Sequence, residues 1–97
     1  MNRPSYVYIL ASAPYCTLYT GVTTDVIKRT WQHKNDVIEG FTKAHGVHIL
    51  VWYEVHEDLL AAITREKQIK HWKRAWRLKL VRETNPHWHD LYSHFSP

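Results

Sequence analysis

The short distance between two strand-like runs near the start is the feature that most limits how this chain can fold. Residues 6–11 and 17–21 are rich in β-branched and aromatic side chains, which favour strands. Between them stands the turn-like sequence Ala13-Pro14-Tyr15-Cys16. A connection this short is that of a hairpin. The chain is therefore predicted to open with two paired antiparallel strands.

The middle of the chain predicts one helix and one further strand. Thr23, Thr24 and Asp25 are residue types that begin helices, and this helix is predicted to end near Asn35. A polar loop with two glycines follows. Apolar and polar residues then alternate over residues 47–55, which is typical of a half-buried strand.

The remainder predicts two helices and a short end segment. Asp58 is placed to begin a helix that runs to about Trp72, and residues 74–84 predict a second, basic helix. Residues 86–97 are aromatic and are expected to pack back onto the body. The order is ββαβαα, which predicts one α/β (α+β) domain over residues 1–97, a three-stranded antiparallel sheet flanked by helices.

Positive charge is concentrated in residues 65–82, which we name the basic segment. It holds eight Lys and Arg and one acid, a net charge of +7, whereas the rest of the chain holds five bases and eight acids, a net charge of −3. A basic segment on a mildly acidic body is expected of a protein that binds a phosphate backbone. The alternative is a solvated helix face without a partner.

Several classes of protein are disfavoured by what the sequence contains. No apolar run approaches the length of a membrane span, and residues 1–5 lead into a strand rather than a signal peptide. A single cysteine, Cys16, forms no internal disulfide and favours the cytoplasm, and no base stands beside it to make it a nucleophile. No Gly-rich loop predicts an organic cofactor. A zinc site is disfavoured for the cysteine-free cluster of His87, His89, Asp90 and His94.

Two tyrosines of the hairpin are candidate site residues. If the turn is symmetric about its Ala-Pro pair, Tyr8 lies opposite Tyr19, and Tyr6 lies opposite Gly21, which has no side chain. The two tyrosines would then flank a space with a glycine at its edge. The alternative is an aromatic pair that only stabilises the hairpin, and an asymmetric turn would break the pairing.

The helices contribute charged candidates. Arg29 and His33 are four residues apart and project from one helix face. Glu66 falls in the middle of an apolar stripe, where an unpaired carboxylate costs several kcal/mol, so it requires a cation. That cation is either a metal or a basic side chain such as Arg29. The stripe consists of Leu59, Ala62, Ile63 and Ile69.

These residues together resemble the GIY-YIG nuclease superfamily. Tyr6-Val7-Tyr8, ten intervening residues and Tyr19-Thr20-Gly21 are similar to its paired tripeptides. Tyr6 and Thr20 depart mildly from the pattern. Val22 stands where several relatives have a polar or basic residue, which leaves open the group that assists the attack. In particular the chain resembles small standalone bacterial, excinuclease-C-like members, with which it shares residues 40–43, 65–70 and 85–86. The other matching positions are Arg29, His33, Glu66 and Asn85.

The resemblance implies metal-dependent hydrolysis of DNA phosphodiester bonds. Glu66 would hold one Mg²⁺ or Mn²⁺ ion, since no second carboxylate is clearly placed for a two-metal site. Arg29 would bind a phosphate oxygen. Tyr8 would be the general base, with Tyr19 hydrogen-bonded beside it, His33 relaying the proton or orienting Tyr8, and Asn85 bracing the site. The alternative is a nucleic-acid-binding module of the same fold without catalysis.

The aromatic residues favour DNA with unpaired bases as the substrate. Trp72 and Trp76 are interleaved with the Lys and Arg residues of the basic segment, and Phe41 stands near Lys43 in the polar loop. Exposed aromatic rings among cations stack on unpaired bases. The alternative is that both tryptophans are buried between helix and sheet. The cations expected to bind the backbone are Lys43, Lys70, Lys73, Arg74 and Arg77.

Overall fold

A computed structural model describes residues 4–95, and its sheet has three antiparallel strands in the order β2-β1-β3. The strands are β1 (Ser5–Ala11), β2 (Leu18–Thr23) and β3 (Ile49–His56). Because β1 lies in the middle, both of its edges are hydrogen-bonded to a neighbour. The predicted fold class, a three-stranded antiparallel sheet flanked by helices, is confirmed.

Within residues 4–95, four α-helices and one 3-10 helix surround the sheet. Two of the predicted helix starts carry the expected caps: the side chain of Asp25 accepts a hydrogen bond from the Lys28 amide at 3.1 Å, and that of Asp58 accepts one from the Ala61 amide at 2.8 Å. The helices are α1 (Val26–Lys34), α2 (Phe41–Ala44), α3 (Leu59–His71) and α4 (Arg74–Thr84), and the 3-10 helix is Leu91–Phe95.

Helix α2 is an addition to the predicted order, because the sequence predicts a loop there. It has only four residues and begins after Gly40, whose φ of 119° is a conformation that other residues rarely adopt. A helix of one turn leaves no apolar periodicity in a sequence, so it could not be predicted.

The predicted register of the hairpin was wrong. Tyr8 lies opposite Gly21, and Leu10 lies opposite Tyr19. The turn is centred one residue later than expected, because Pro14 takes its second position and Tyr15, with a φ of 59°, takes its third. Tyr8 and Tyr19 still share one face of the sheet as diagonal neighbours, with ring centroids 6.3 Å apart.

The two faces of β1 build two separate cores. Val7, Ile9 and Ala11 face the core that contains residues of α3 and α4. Tyr8 and Leu10 face the other core, which contains Val26 of α1, Val47 and Leu50. All residues of β1 except Tyr6 are buried, so the strand is enclosed from both sides. The candidate site residue Tyr8 therefore lies in an interior layer rather than on a surface.

Asn85 ties the end of α4 to the sheet at a β-bulge. Strand β3 has one extra residue, Val51, between the partners of Ile9 and Leu10. The Asn85 side-chain amide donates to the Val51 carbonyl at 3.1 Å and to the His89 carbonyl at 2.9 Å, and its oxygen accepts from the His89 amide at 3.0 Å. A buried amide thus satisfies backbone groups of two segments.

The segment after Pro86 packs back onto the body, as far as residue 95. Trp88 is buried, with its ring 4.7 Å from that of Tyr15. The ring of Phe95 lies 5.1 Å from that of Tyr53. Asp90 forms an ion pair with Lys34 and accepts from the Leu50 amide at 3.3 Å. Residues 96 and 97, the end of the predicted packing segment, lie outside the described range.

We expect Asn85→Ala to lower the free energy of unfolding by about 1–3 kcal/mol, because buried carbonyl and amide groups lose their partner. Chemical denaturation monitored by circular dichroism measures this change. Thr84→Ala, at an exposed neighbouring position, is the control and should shift stability by less than about 0.5 kcal/mol. Equal midpoints for the wild type and Asn85→Ala would contradict this role.

Candidate active site

The centre of the site is Tyr8, whose ring lies over Gly21. Tyr8 is 2% exposed. A Cβ atom at position 21 would stand 2.5 Å from Cζ of Tyr8 and 2.9 Å from its Cε1, far inside van der Waals contact. The φ of Gly21 is not in the left-handed region, so the glycine is needed for space and not for its backbone conformation.

A chain of two hydrogen bonds connects β1, α1 and α2. The Tyr8 hydroxyl lies 3.1 Å from Nε2 of His33, and Nδ1 of His33 lies 2.9 Å from Oγ1 of Thr42. His33 and Thr42 are both buried, at 3% and 4% exposure. Thr42 did not figure among the predicted site residues. The only sequence signal for it is its place in residues 40–43, a stretch that carries the family resemblance.

Burial and neighbouring charges shift the pKa values of the two titratable groups in this hydrogen-bond chain, Tyr8 and His33. Burial raises the pKa of the Tyr8 hydroxyl far above its ordinary value, Tyr19 and Glu66 raise it further, and the Arg29 charge opposes them. Burial lowers the pKa of His33 to about 4, with added repulsion from Arg29 and His48. At neutral pH the pair therefore consists of a neutral phenol and a neutral imidazole.

Tyr19 belongs to an aromatic cluster that covers this pair. Its ring centroid lies 6.3 Å from that of Tyr8 and 5.5 Å from that of His33. Phe41, 47% exposed, stacks on Tyr19 at 6.2 Å and on His45 at 4.3 Å. Phe41 thus lies beside the site with one part of its surface open to solvent.

Glu66 lies on α3, and its side chain is 12% exposed. The suggestion that Arg29 is its partner was wrong: Glu66 pairs with Lys70, one helical turn away, at 3.3 Å. The apolar stripe around it is also shorter than expected, because Leu59 is half-exposed whereas Ala62 and Ile69 are buried. Lys70 is itself half-exposed, so the pair sits at the rim of the protein where a competing cation has access.

The residues around Glu66 fit a hard divalent ion that keeps most of its own ligands. Within residues 4–95, no group of three His, Cys, Asp or Glu residues is placed to hold a metal. One shielded carboxylate remains, and Mg²⁺ is commonly bound by one or two carboxylates together with water and substrate phosphate. Glu66 is therefore a suitable single protein ligand.

Arg29 lies on α1, one turn before His33, and is partly exposed. Across the described part of the chain, no carboxylate lies within 4 Å of its guanidinium, whereas Arg65 is paired with Glu54. It lines a polar groove with Thr23, Asp25 and other residues of the β2–α1 junction. Its charge still reaches both Tyr8 and His33. An arginine without a carboxylate partner in the described residues, close enough for its charge to act on Tyr8, can bind an anion.

Besides Lys70, which pairs with Glu66, three predicted site residues have other partners in the structure. Asn85 makes its side-chain hydrogen bonds with Val51 and His89, beside the core that contains residues of α3 and α4. It is therefore not brought together with Tyr8 and Tyr19. Arg74 donates from Nη2 to the carbonyls of Tyr15 and Cys16, at 2.8 and 2.5 Å, which joins α4 to the hairpin turn. Lys43 pairs with Glu39 at 2.8 Å, a contact that raises the pKa of Lys43.

The basic segment presents a mixed surface. Trp76 is 57% exposed and lies edge-on to the partly buried Trp72, at 6.2 Å between ring centroids. Lys73 occupies the N-cap position of α4 without a side-chain capping hydrogen bond and is exposed, whereas Arg77 is only partly exposed. The expectation that Trp76 is open to solvent therefore holds, and the alternative in which both tryptophans are buried does not.

Comparison with known proteins identifies the family. Residues 4–79 match the GIY-YIG catalytic domain. The chain therefore belongs to the GIY-YIG family, a family of nucleases, as the resemblance of its motifs predicts. More particularly, it is similar over most of its length to the small proteins called UPF0213, whose name states no activity.

Two of these relatives come from Haloquadratum walsbyi and Natronomonas pharaonis. The first is 35% identical over 83 residues, covering 86% of this chain and 92% of the relative. The second is 40% identical over 83 residues, covering 84% and 94%. The solution NMR structure of a UPF0213 protein from Bacillus halodurans has a TM-score of 0.56 at 28% identity, covering 96% of this chain and 97% of that one.

Gly21→Ala is expected to push the Tyr8 ring away and to lower stability by about 1–3 kcal/mol through overpacking. Denaturation measures the loss. The matched test is the same substitution in a Tyr8→Ala background, where the added methyl group has room and should cost far less. Additive costs in the two backgrounds would show that the glycine is needed for another reason.

His33 should make the protein less stable in mild acid. Its pKa is about 4 when folded and near 6.5 when unfolded, so only the unfolded chain takes up the proton between these values. The His33 contribution is complete above about pH 6.5 and is lost as the pH falls towards 4. Denaturation series of the wild type and His33→Gln should diverge over this range. NMR titration of His33 at its ordinary pKa would refute the assignment.

Proposed function

We propose that this protein is a divalent-metal-dependent endonuclease that hydrolyses DNA phosphodiester bonds. The observation that carries the proposal is the surrounding of Tyr8: His33 is hydrogen-bonded to it, and Tyr19, Arg29 and Glu66 all act on its pKa. Tyr8 is thus hydrogen-bonded to one family position, His33, and its pKa responds to three more, on β2, α1 and α3. The single unpaired Cys16 is in keeping with a reducing compartment, and we propose the cytoplasm.

Hydrolysis of a phosphodiester needs an activated water and compensation of charge on the phosphoryl oxygens. One Mg²⁺ or Mn²⁺ ion held by Glu66 would supply positive charge at the phosphate and at the leaving oxygen. Arg29 would bind a non-bridging oxygen through its forked donors, which a lysine cannot reproduce.

Tyr8 would take the proton of the attacking water. Its raised pKa makes the phenolate costly in the free protein. The positive charge of the metal ion in the substrate complex must therefore lower that cost. Arg29 already acts in this direction. Tyr19 packs against Tyr8 and His33 and keeps the pair covered from solvent, which strengthens the electrostatic interactions within it.

The alternative function is a nucleic-acid-binding module without catalysis. Two observations favour it: the pKa of Tyr8 is raised, and Glu66 already forms an ion pair with Lys70. A module that only binds has no use for a carboxylate near the phosphate, since the carboxylate repels it. Labelled single- and double-stranded DNA, incubated with Mg²⁺, with Mn²⁺ or with EDTA, separates the two functions. Retention of DNA without cleavage under all conditions would favour the module.

Glu66→Gln is expected to reduce metal-dependent cleavage by at least about 100-fold, because the amide has no charge to hold the ion. Single-turnover cleavage rates measure the effect. Glu83→Gln is the matched control, since Glu83 also forms an i,i+4 pair with a lysine, Lys79, in the reverse sequence order and on an exposed helix face. Wild-type rates for Glu66→Gln under Mg²⁺ would remove Glu66 from the site.

We propose single-stranded or unpaired DNA as the preferred substrate, because Trp76 and Phe41 offer half-exposed rings near cations. Trp76→Ala or Phe41→Ala should weaken single-strand binding by about 1–3 kcal/mol, and duplex binding much less. Trp31→Ala, at an equally exposed tryptophan of α1, is the control. Equal or tighter duplex binding, unaffected by either substitution, would contradict the preference.

The same binding assays, repeated over a range of salt concentrations, show which cations contact the backbone. Lys73→Ala and Arg77→Ala should each reduce the slope of log affinity against log salt by about 0.7 if the residue contacts one phosphate of a single strand. Lys67→Ala tests whether the loss of any basic residue of the basic segment reduces the slope by the same amount. An unchanged slope would leave these residues as a solvated face.

A further inference from the structure

Thr42 reaches the candidate active site only through His33. Its hydroxyl lies 2.9 Å from Nδ1 of His33, and within residues 4–95 it has no other hydrogen-bond partner. Thr42 is held firmly, because its carbonyl accepts from the Val47 amide at 2.9 Å and its neighbour Phe41 stacks on Tyr19. The short helix α2 thus fixes the position of one hydroxyl behind the imidazole.

Two arrangements of protons fit the distances. In the first, Tyr8 donates to Nε2, and Nδ1–H donates to Thr42, whose own proton then has no acceptor in a buried place. In the second, Thr42 donates to Nδ1, and Nε2–H donates to the Tyr8 oxygen. The second leaves the Tyr8 proton without an acceptor among residues 4–95, so in the neutral state each arrangement has one unpaired hydroxyl proton on a buried residue. The two differ once Tyr8 has lost its proton: only the second then leaves no hydroxyl proton unpaired, because Nε2–H still donates to the Tyr8 oxygen.

We infer that Thr42 is a positioning residue that holds His33 in the Nε2–H tautomer, so that the imidazole donates a hydrogen bond to the Tyr8 oxygen. The inference rests on the proposed function for its catalytic meaning. A base that takes a proton from water must carry negative charge on its oxygen for a time. A donor at Nε2 stabilises that charge, whereas a lone pair at Nε2 would repel it.

This role differs from that of a proton relay. In the Nε2–H tautomer, Nε2 has no lone pair with which to accept the Tyr8 proton. Tyr8 would then give its own proton to a second water molecule before it accepts one from the attacking water, and His33 stays neutral throughout. The hydroxyl of Thr42 acts on the reaction only by selecting which nitrogen of His33 carries hydrogen.

The tautomer can be measured without DNA or metal. Two-bond ¹H–¹⁵N correlation spectra of the protein at neutral pH distinguish a protonated from an unprotonated ring nitrogen, and His33→Gln identifies the His33 signals among the eight histidines. We expect Nε2 to be protonated in the wild type and in Thr42→Ser, which keeps the hydroxyl. Thr42→Val, of nearly the same shape, should give a mixture of tautomers. His33 in the Nδ1–H tautomer in the wild type would overturn the inference.

The kinetic test uses the same variants. Thr42→Val should lower kcat by about tenfold or more with little change in KM, Thr42→Ser should restore most of the rate, and Thr42→Val should cost nothing further in a His33→Ala background. Thr20→Val is the matched control, since Thr20 is a buried threonine whose hydroxyl has no partner in the described chain and faces the other core.

The outcomes separate this inference from the proposed function. A wild type that cleaves no DNA but shows the Nε2–H tautomer, lost in Thr42→Val, supports the role of Thr42 and refutes the nuclease. A wild type that cleaves, with Thr42→Val unchanged in both spectrum and kcat, overturns the role of Thr42 and leaves the nuclease in place. An equal loss from Thr42→Val in the His33→Ala background also overturns it, because Thr42 would then act by another route.

Discussion

The enclosure of β1 on both faces is the constraint on which the rest of the structure depends. A central strand with hydrogen bonds on both edges cannot shift, because a slip of one residue would exchange its two faces. The odd-numbered residues of β1 face the core with α3 and α4, and the even-numbered ones face α1. Tyr8 is therefore held in place by the same pairing that builds the cores.

This placement explains why the site is assembled from so many elements. Tyr8 comes from β1, Tyr19 from β2, Arg29 and His33 from α1, Thr42 from α2 and Glu66 from α3. Since no element supplies more than two of these groups, the site exists only when the whole sheet and its helices are formed. Burial gives the tyrosine its raised pKa and the histidine its lowered one, so the electrostatics of the site also follow from the packing.

Local sequence signals were sufficient for most of the fold. The caps Asp25 and Asp58 set the starts of α1 and α3, and the β-branched and aromatic runs set the strands. The hairpin register could not be predicted in the same way, because it depends on whether Pro14 or Ala13 takes the second position of the turn. The resemblance supplied the site residues, but the Lys70 partner of Glu66 and the contact of Thr42 depend on side-chain positions that no spacing encodes.

The glycines of this protein restrict its sequence in two unlike ways. Gly40, with a φ of 119°, has nothing within 4 Å of the place where a Cβ would be, so only the handedness of its backbone excludes other residues. Gly21 has an ordinary backbone conformation, but the ring of Tyr8 occupies the space that a side chain at position 21 would need. In a diverging lineage, Gly40 is therefore fixed by itself, whereas positions 21 and 8 are free to change only as a pair. A related chain with a side chain at 21 must carry something smaller than tyrosine at 8, and with it a different group at the centre of the candidate site.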